Sequence, residues 1–120
     1  MYQHVNHATM VTILEEARVP FLADAFGPDI STIGLLIAEV RVGYKGQLRL
    51  ADSPLQVTIW VNRLRAVDFT LGYEVRSVNA DPASKPAVIA ETQLAAFHID
   101  EQRLLRLTPG HREYLRRRMR

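Results

Sequence analysis

The spacing of apolar residues first suggests a helix and then a series of strands. From Ala8 to Ala25, Met10, Ile13, Leu14, Ala17, Phe21 and Ala25 recur at helical spacing. Asn6 stands where an N-cap belongs, and Gly27-Pro28 closes the segment. Pro20 falls inside it, which predicts a kink or break near Arg18–Val19. Val11, Val19 and Leu22 lie off the main stripe, so the helix should be buried on most of its sides.

The period then shortens to two. Between Leu35 and Tyr44, Val40, Val42 and Tyr44 alternate with Glu39, Arg41 and Gly43. Leu55, Val57, Ile59 and Val61 alternate with Gln56, Thr58, Trp60 and Asn62, and Phe69, Leu71, Tyr73 and Val75 with Thr70, Gly72, Glu74 and Arg76. A fourth strand is expected from about Ala87 to Ile99. Such alternation in long strands predicts an antiparallel sheet with one face on a core. Leu64-Arg65-Ala66 reads as a tight hairpin, and Asn79 to Pro86 as an exposed loop. Thr108 followed by Pro109 opens a terminal helix over His111 to Met119. One buried helix against one long sheet is an α+β layer, and a single sheet wrapping a single helix is the hotdog arrangement.

Composition adds exclusions. A chain of 120 residues suggests one domain, residues 1–120, and there is no cysteine for a disulfide, a thiolate metal site or a nucleophile. The four histidines lack metal-ligand spacing, so neither metal nor cofactor is expected. No apolar run reaches the roughly 18 residues of a membrane span. The opening Met-Tyr-Gln-His is not a signal sequence, which makes the cytoplasm the expected location and a membrane role unexpected. Charge is uneven: residues 103–120 hold seven arginines against Glu113, whereas residues 1–102 hold eight bases and twelve acids. The basic tail has only Tyr114 as an aromatic, a weak footprint for nucleic acid, which is not expected as a partner.

Two stretches carry a resemblance. His4-Val5-Asn6-His7-Ala8 and Glu15-Glu16-Ala17-Arg18, at this separation, resemble the opening of the 4-hydroxybenzoyl-CoA thioesterase-like hotdog family. The run from Val61 to Glu74 is similar to that family's central hairpin. The resemblance implies a hotdog fold, with one long central helix wrapped by a curved antiparallel sheet and a short C-terminal helix. It implies an acyl-CoA thioesterase whose substrate carbonyl lies at the helix N-terminus. It also implies a homodimer with a continuous sheet and two interfacial sites, often paired into a homotetramer. Apolar surface left by one sheet and one helix, Trp60 included, gives the same expectation of a partner. A hotdog protein that binds acyl-CoA without turnover, or serves as an assembly module, is the alternative. The sequence departs from the family in one respect. The family's aspartate, four residues before the histidine, would precede Met1, together with its strand. Either the chain is a naturally shortened relative or its start was set at an internal methionine, the second being the reading favoured. As it stands, the sheet is expected to have an unpaired or domain-swapped edge, and the chain to be an acyl-CoA thioesterase or the inactive truncated core of one.

Several residues can carry the chemistry. The loop before the helix feeds a terminus whose unpaired amides and dipole attract a developing oxyanion. His7 either polarises substrate or orients water, or simply bonds backbone at the helix start. Asn6 orients substrate or caps the helix. His4 and Tyr2 line the pocket on the resemblance, although a structural role suits His4 as well. Glu15 is a candidate helix carboxylate, against the commoner outcome of pairing with Arg18 three residues on. Lys45, Arg63 and Arg65, near hairpin ends, are candidates for the coenzyme A phosphates, or else solvated charges. His98 is expected to be a satisfied sheet histidine.

Overall fold

The computed structural model describes residues 5–49, 52 and 54–120, so Tyr2 and His4 lie outside the described residues. Helix α1 spans His7–Phe26 and is followed by a 3₁₀ turn, Gly27–Ser31. Strands β1 (Ile33–Tyr44), β2 (Leu55–Leu64), β3 (Asp68–Ser77) and β4 (Val88–His98) follow, then the two-residue β5 (Arg103–Leu104) and helix α2 (Pro109–Arg116). The strands form one antiparallel sheet in the order β1-β4-β3-β2, with β5 paired to the end of β4. This is the hotdog fold: one long helix lies against a curved antiparallel sheet, with a short helix after it.

The curvature has a local cause. Register slips between Ile37 and Glu39 in β1 and between Val61 and Arg63 in β2. Both slips fall at the level where Thr70 of β3 faces Gln93 of β4. An extra residue bends its strand and increases its twist, so two bulges at one level on either side of β3 and β4 fold the sheet about α1.

The concave face holds the core. Phe69, Leu71, Tyr73 and Val75 of β3 stand beside Leu94, Thr92, Ala90 and Val88 of β4, and all are buried. Met10, Leu14 and Arg18, one helical turn apart, pack down from α1. The helix is therefore buried along one face only. Val19 is 60% exposed, which corrects the expectation of burial on most sides. Nor does Pro20 break the helix, which runs on to Phe26. The carbonyl that loses its hydrogen bond is that of Glu16, an exposed residue. Gly27, with φ of 54°, then supplies the left-handed turn that ends the helix.

At the other end of the molecule α2 is shorter than expected, closing at Arg116, and its start is doubly capped. The Thr108 side chain accepts from the His111 amide, and His111 Nδ1 accepts from the Thr108 amide. With Nδ1 accepting, Nε2–H donates to Asp29, 2.9 Å away, and ties α2 to the 3₁₀ turn. The segment beyond α2 lies along the outer edge of β2, where the Val61 amide donates to Arg118 O and the Arg120 amide to Val61 O. The edge of β2 is thus bridged at this point by the chain's own tail, while the β1 edge is unpaired among the described residues.

Trp60 is partly covered by the chain itself. It lies over Gly72, where a Cβ would come within 2.5 Å of its ring, and the Arg120 guanidinium sits 3.9 Å from the ring centroid. Among the described residues, no helix is long and apolar enough to cross a membrane.

Leu14, 1% exposed, anchors the middle of α1. Leu14→Ala should cost about 2–5 kcal/mol of unfolding free energy, against about 0.5 kcal/mol or less for Val19→Ala. Guanidinium denaturation of the two variants checks this; equal losses would contradict the one-faced burial of the helix.

Candidate functional site

The first turn of α1 is built to leave donors unpaired. Asn6, in extended conformation, caps it by accepting from the Thr9 amide at 2.8 Å, and its carbonyl accepts the Met10 amide. Among the described residues, the amides of His7 and Ala8 have no hydrogen-bond partner. The first turn contains no acidic residue, so its partial positive charge is not offset from within the helix.

This tip abuts a cavity of about 190 Å³ lined by Val5, Met10, Tyr44, Gly46, Gln47, Leu48 and Val88. Tyr44 and Val88 face each other at the end of the β1–β4 ladder. The amides of Lys45 and Gly46 donate to Ala87 O, and that of Val5 to Leu48 O, which holds the loop after β1 against the segment before α1. The walls are largely apolar, and the polar side chains among them are Tyr44 and Gln47. The Tyr44 hydroxyl lies 2.6 Å from His7 Nδ1, with the two rings edge to face at 5.8 Å. Partial burial pushes the Tyr44 phenol above its ordinary pKa.

The structure brings together only some of the expected residues. Asn6 and His7 are at the tip, although the side-chain oxygen of Asn6 is spent on the cap. Lys45 is exposed between two cavity residues, Tyr44 and Gly46. Glu15 is exposed on α1, about 12 Å along the axis from His7. Among the described residues it makes no ion pair with Arg18, which turns inward and is 7% exposed.

Arg63 and Arg65 belong to the far end of the sheet. Leu64 faces Phe69, whereas the cavity lies at the level of Val75 and Val88, about 20 Å away along β3. Arg65 pairs there with Asp68 at 2.9 Å. Arg63 lines a polar groove of about 300 Å³ on the convex face, with Glu39, Arg41, Asn62 and Glu91. That groove is larger than the cavity, but its charged walls and its place across the sheet from α1 separate it from the helix tip. His98 accepts from the Glu101 amide at the turn after β4, as expected of a satisfied histidine.

Sequence reasoning missed Tyr44 as a site residue. It also missed Arg76 and Lys85, which line a shallow polar depression sharing Gln47 and Leu48 with the cavity. Arg76 is tied to Glu74 at 2.7 Å, while Lys85 is exposed. Among the described residues, no cluster of three or more histidines and acids is arranged for a metal ion.

Comparison with known proteins agrees with this architecture. Residues 1–115 match the thioesterase-like superfamily, and the chain belongs to that family. Among solved structures it is similar to a predicted thioesterase from Bacillus stearothermophilus, with a TM-score of 0.80, 18% identity, and 98% of this chain and 85% of that one covered. It is also similar to YbaW, a probable thioesterase from Escherichia coli, with a TM-score of 0.76, 22% identity, and coverage of 100% and 90%. A gentisyl-coenzyme A thioesterase aligns with a TM-score of 0.76 at 15% identity, over 95% of this chain and 88% of that one. These likenesses concern the fold. A search of curated proteins finds no match.

The cap can be tested alone. Asn6→Ala should lower stability by about 1 kcal/mol, and Asn6→Asp should keep it within a few tenths. Urea denaturation gives both values, and an Asn6→Ala variant as stable as the parent would remove Asn6 from the cap.

Proposed function

We propose that this chain is an acyl-CoA thioesterase of the 4-hydroxybenzoyl-CoA thioesterase-like branch, hydrolysing an acyl- or aroyl-CoA thioester to the free acid and CoA. The observation that carries the reading is a helix start whose His7 and Ala8 amides have no partner among the described residues and no offsetting acid in the first turn, next to a small, mostly apolar cavity that Val5 and Met10 line from either side of it. An apolar acyl group fits among Val5, Met10, Leu48 and Val88, with its carbonyl oxygen toward the amides of His7 and Ala8. As water adds to the thioester carbon, negative charge grows on that oxygen, and each correctly placed donor is worth roughly 10²–10³ in rate. His7 orients the attacking water or adds a further donor. Lys45 sits where a phosphate leaving the cavity would pass.

The remaining candidates need a second subunit. The β1 edge is unpaired within the described chain, and Leu36, Ile37 and Val40 along it are 43–50% exposed. We place a homodimer interface there, with pairing into a homotetramer as the further step, so that Glu15, Arg63 and Arg65 act on a partner's substrate if they act at all. Sedimentation at micromolar concentration should give a dimer or larger, and a monomer would contradict this arrangement.

A second reading has its own support. No carboxylate lines the cavity among the described residues, which favours binding of acyl-CoA without turnover. Release of free thiol from a panel of aliphatic and aromatic acyl-CoAs separates the two: turnover supports the enzyme, saturable binding without turnover the sensor. Ala8→Asp tests the shared premise. A carboxylate in the first turn should stabilise the fold by about 0.3–1 kcal/mol, yet reduce turnover, or acyl-CoA affinity, about tenfold or more by opposing the same charge. A variant both more stable and fully active would contradict a role for the helix tip.

A further inference from the structure

Tyr44 is the last residue of β1, and its ring forms part of the cavity wall. Its hydroxyl has one hydrogen bond among the described residues, to His7 Nδ1 at 2.6 Å. Either group could donate. The phenol always has a proton to offer at neutral pH, whereas Nδ1 carries one in only one of the two neutral tautomers. Burial acts in the same direction, because it raises the phenol's pKa and keeps its proton in place. A neutral imidazole that accepts at Nδ1 carries its own proton at Nε2.

We propose that Tyr44 is a positioning residue for His7, its hydroxyl holding the ring in the Nε2–H form so that the ring adds one N–H donor beside the amides of His7 and Ala8. The assignment rests on the thioesterase reading for its purpose, but not for its geometry. His7 is the first residue of α1, so its backbone amide and its ring lie at the same helix end, where the ring meets Tyr44 of the cavity wall. A ring free to exchange tautomers would present an acceptor there part of the time and repel the developing oxyanion. The edge-to-face contact between the rings restrains the orientation of the imidazole as well as its proton. A hydrogen bond to one ring nitrogen decides which nitrogen of a histidine is left to work, and here the bond comes from a phenol at the neighbouring strand end.

The test uses Tyr44→Phe, which keeps the ring and the cavity wall and removes only the hydroxyl. Two measurements are made on the full chain: the ¹⁵N spectrum of the His7 ring, and steady-state hydrolysis of the best acyl-CoA from the panel. The expected wild-type signal is a single Nε2–H tautomer, replaced in Tyr44→Phe by a mixture. In parallel kcat should fall about tenfold, the worth of one hydrogen bond, with KM within about twofold. His7→Ala added to Tyr44→Phe should cost far less than His7→Ala alone, because the two act as a unit. An Nδ1–H tautomer in the wild type, or an unchanged tautomer in the variant, overturns the proposal and leaves the thioesterase reading intact. A changed tautomer with unchanged kcat also overturns it. A wild-type chain that turns over no acyl-CoA overturns the thioesterase reading and, with it, the role given to Tyr44.

Discussion

The charge at the start of α1 is useful only if the helix is held at a fixed distance and angle from the sheet. That demand falls on Met10 and Leu14, which are almost completely buried against the concave face formed by β3 and β4. Met10 belongs both to this packing and to the cavity wall, so the contact that seats the helix also shapes the site. The two bulges, in β1 and β2, bring the sheet round to meet the helix, and the caps at Asn6 and Gly27 set where the helix begins and ends. A dipole that moved relative to the cavity would stabilise ground state and transition state alike; one held rigid can favour the oxygen that gains charge.

The two faces of the sheet are specialised by this arrangement. The concave face is apolar and carries the helix. The convex face carries charge in chains: Trp60 donates to Asn62, Asn62 to Glu91, and Arg76 and Arg120 both meet Glu74. Glycine beneath Trp60 lets the indole lie flat along that surface, and the Arg120 tail closes over it. A polar, internally paired face gives an apolar acyl group little to bind. The convex groove, larger than the cavity beside α1, is therefore the poorer match for an apolar group.

Much of the fold was legible because its signals are local. Asn6, Gly27 and Thr108 act within four residues of themselves, and the four long strands announce themselves by alternation. What was not legible depends on partners distant in sequence. Tyr44 looks like one more apolar strand position, and only the docking of α1 places it against a histidine 37 residues away. Arg63 and Arg65 look well placed at a hairpin end, but alternation does not reveal which end of the sheet meets the helix tip; the register does. The spacing of Glu15 and Arg18 predicts a pair, and the inward face of the helix takes Arg18 away from it. Pro20 was weighed as a break because propensity cannot see that the orphaned carbonyl belongs to an exposed residue.

The central claim is that the amides of His7 and Ala8 receive a thioester oxygen. A crystal structure of the chain with an acyl-CoA analogue in which a methylene replaces the thioester sulfur tests it most directly. The account predicts the ketone oxygen about 2.7–3.1 Å from one or both amides, with the acyl group between Met10 and Val88. An analogue bound on the convex face, or with its carbonyl turned away from α1, would contradict it.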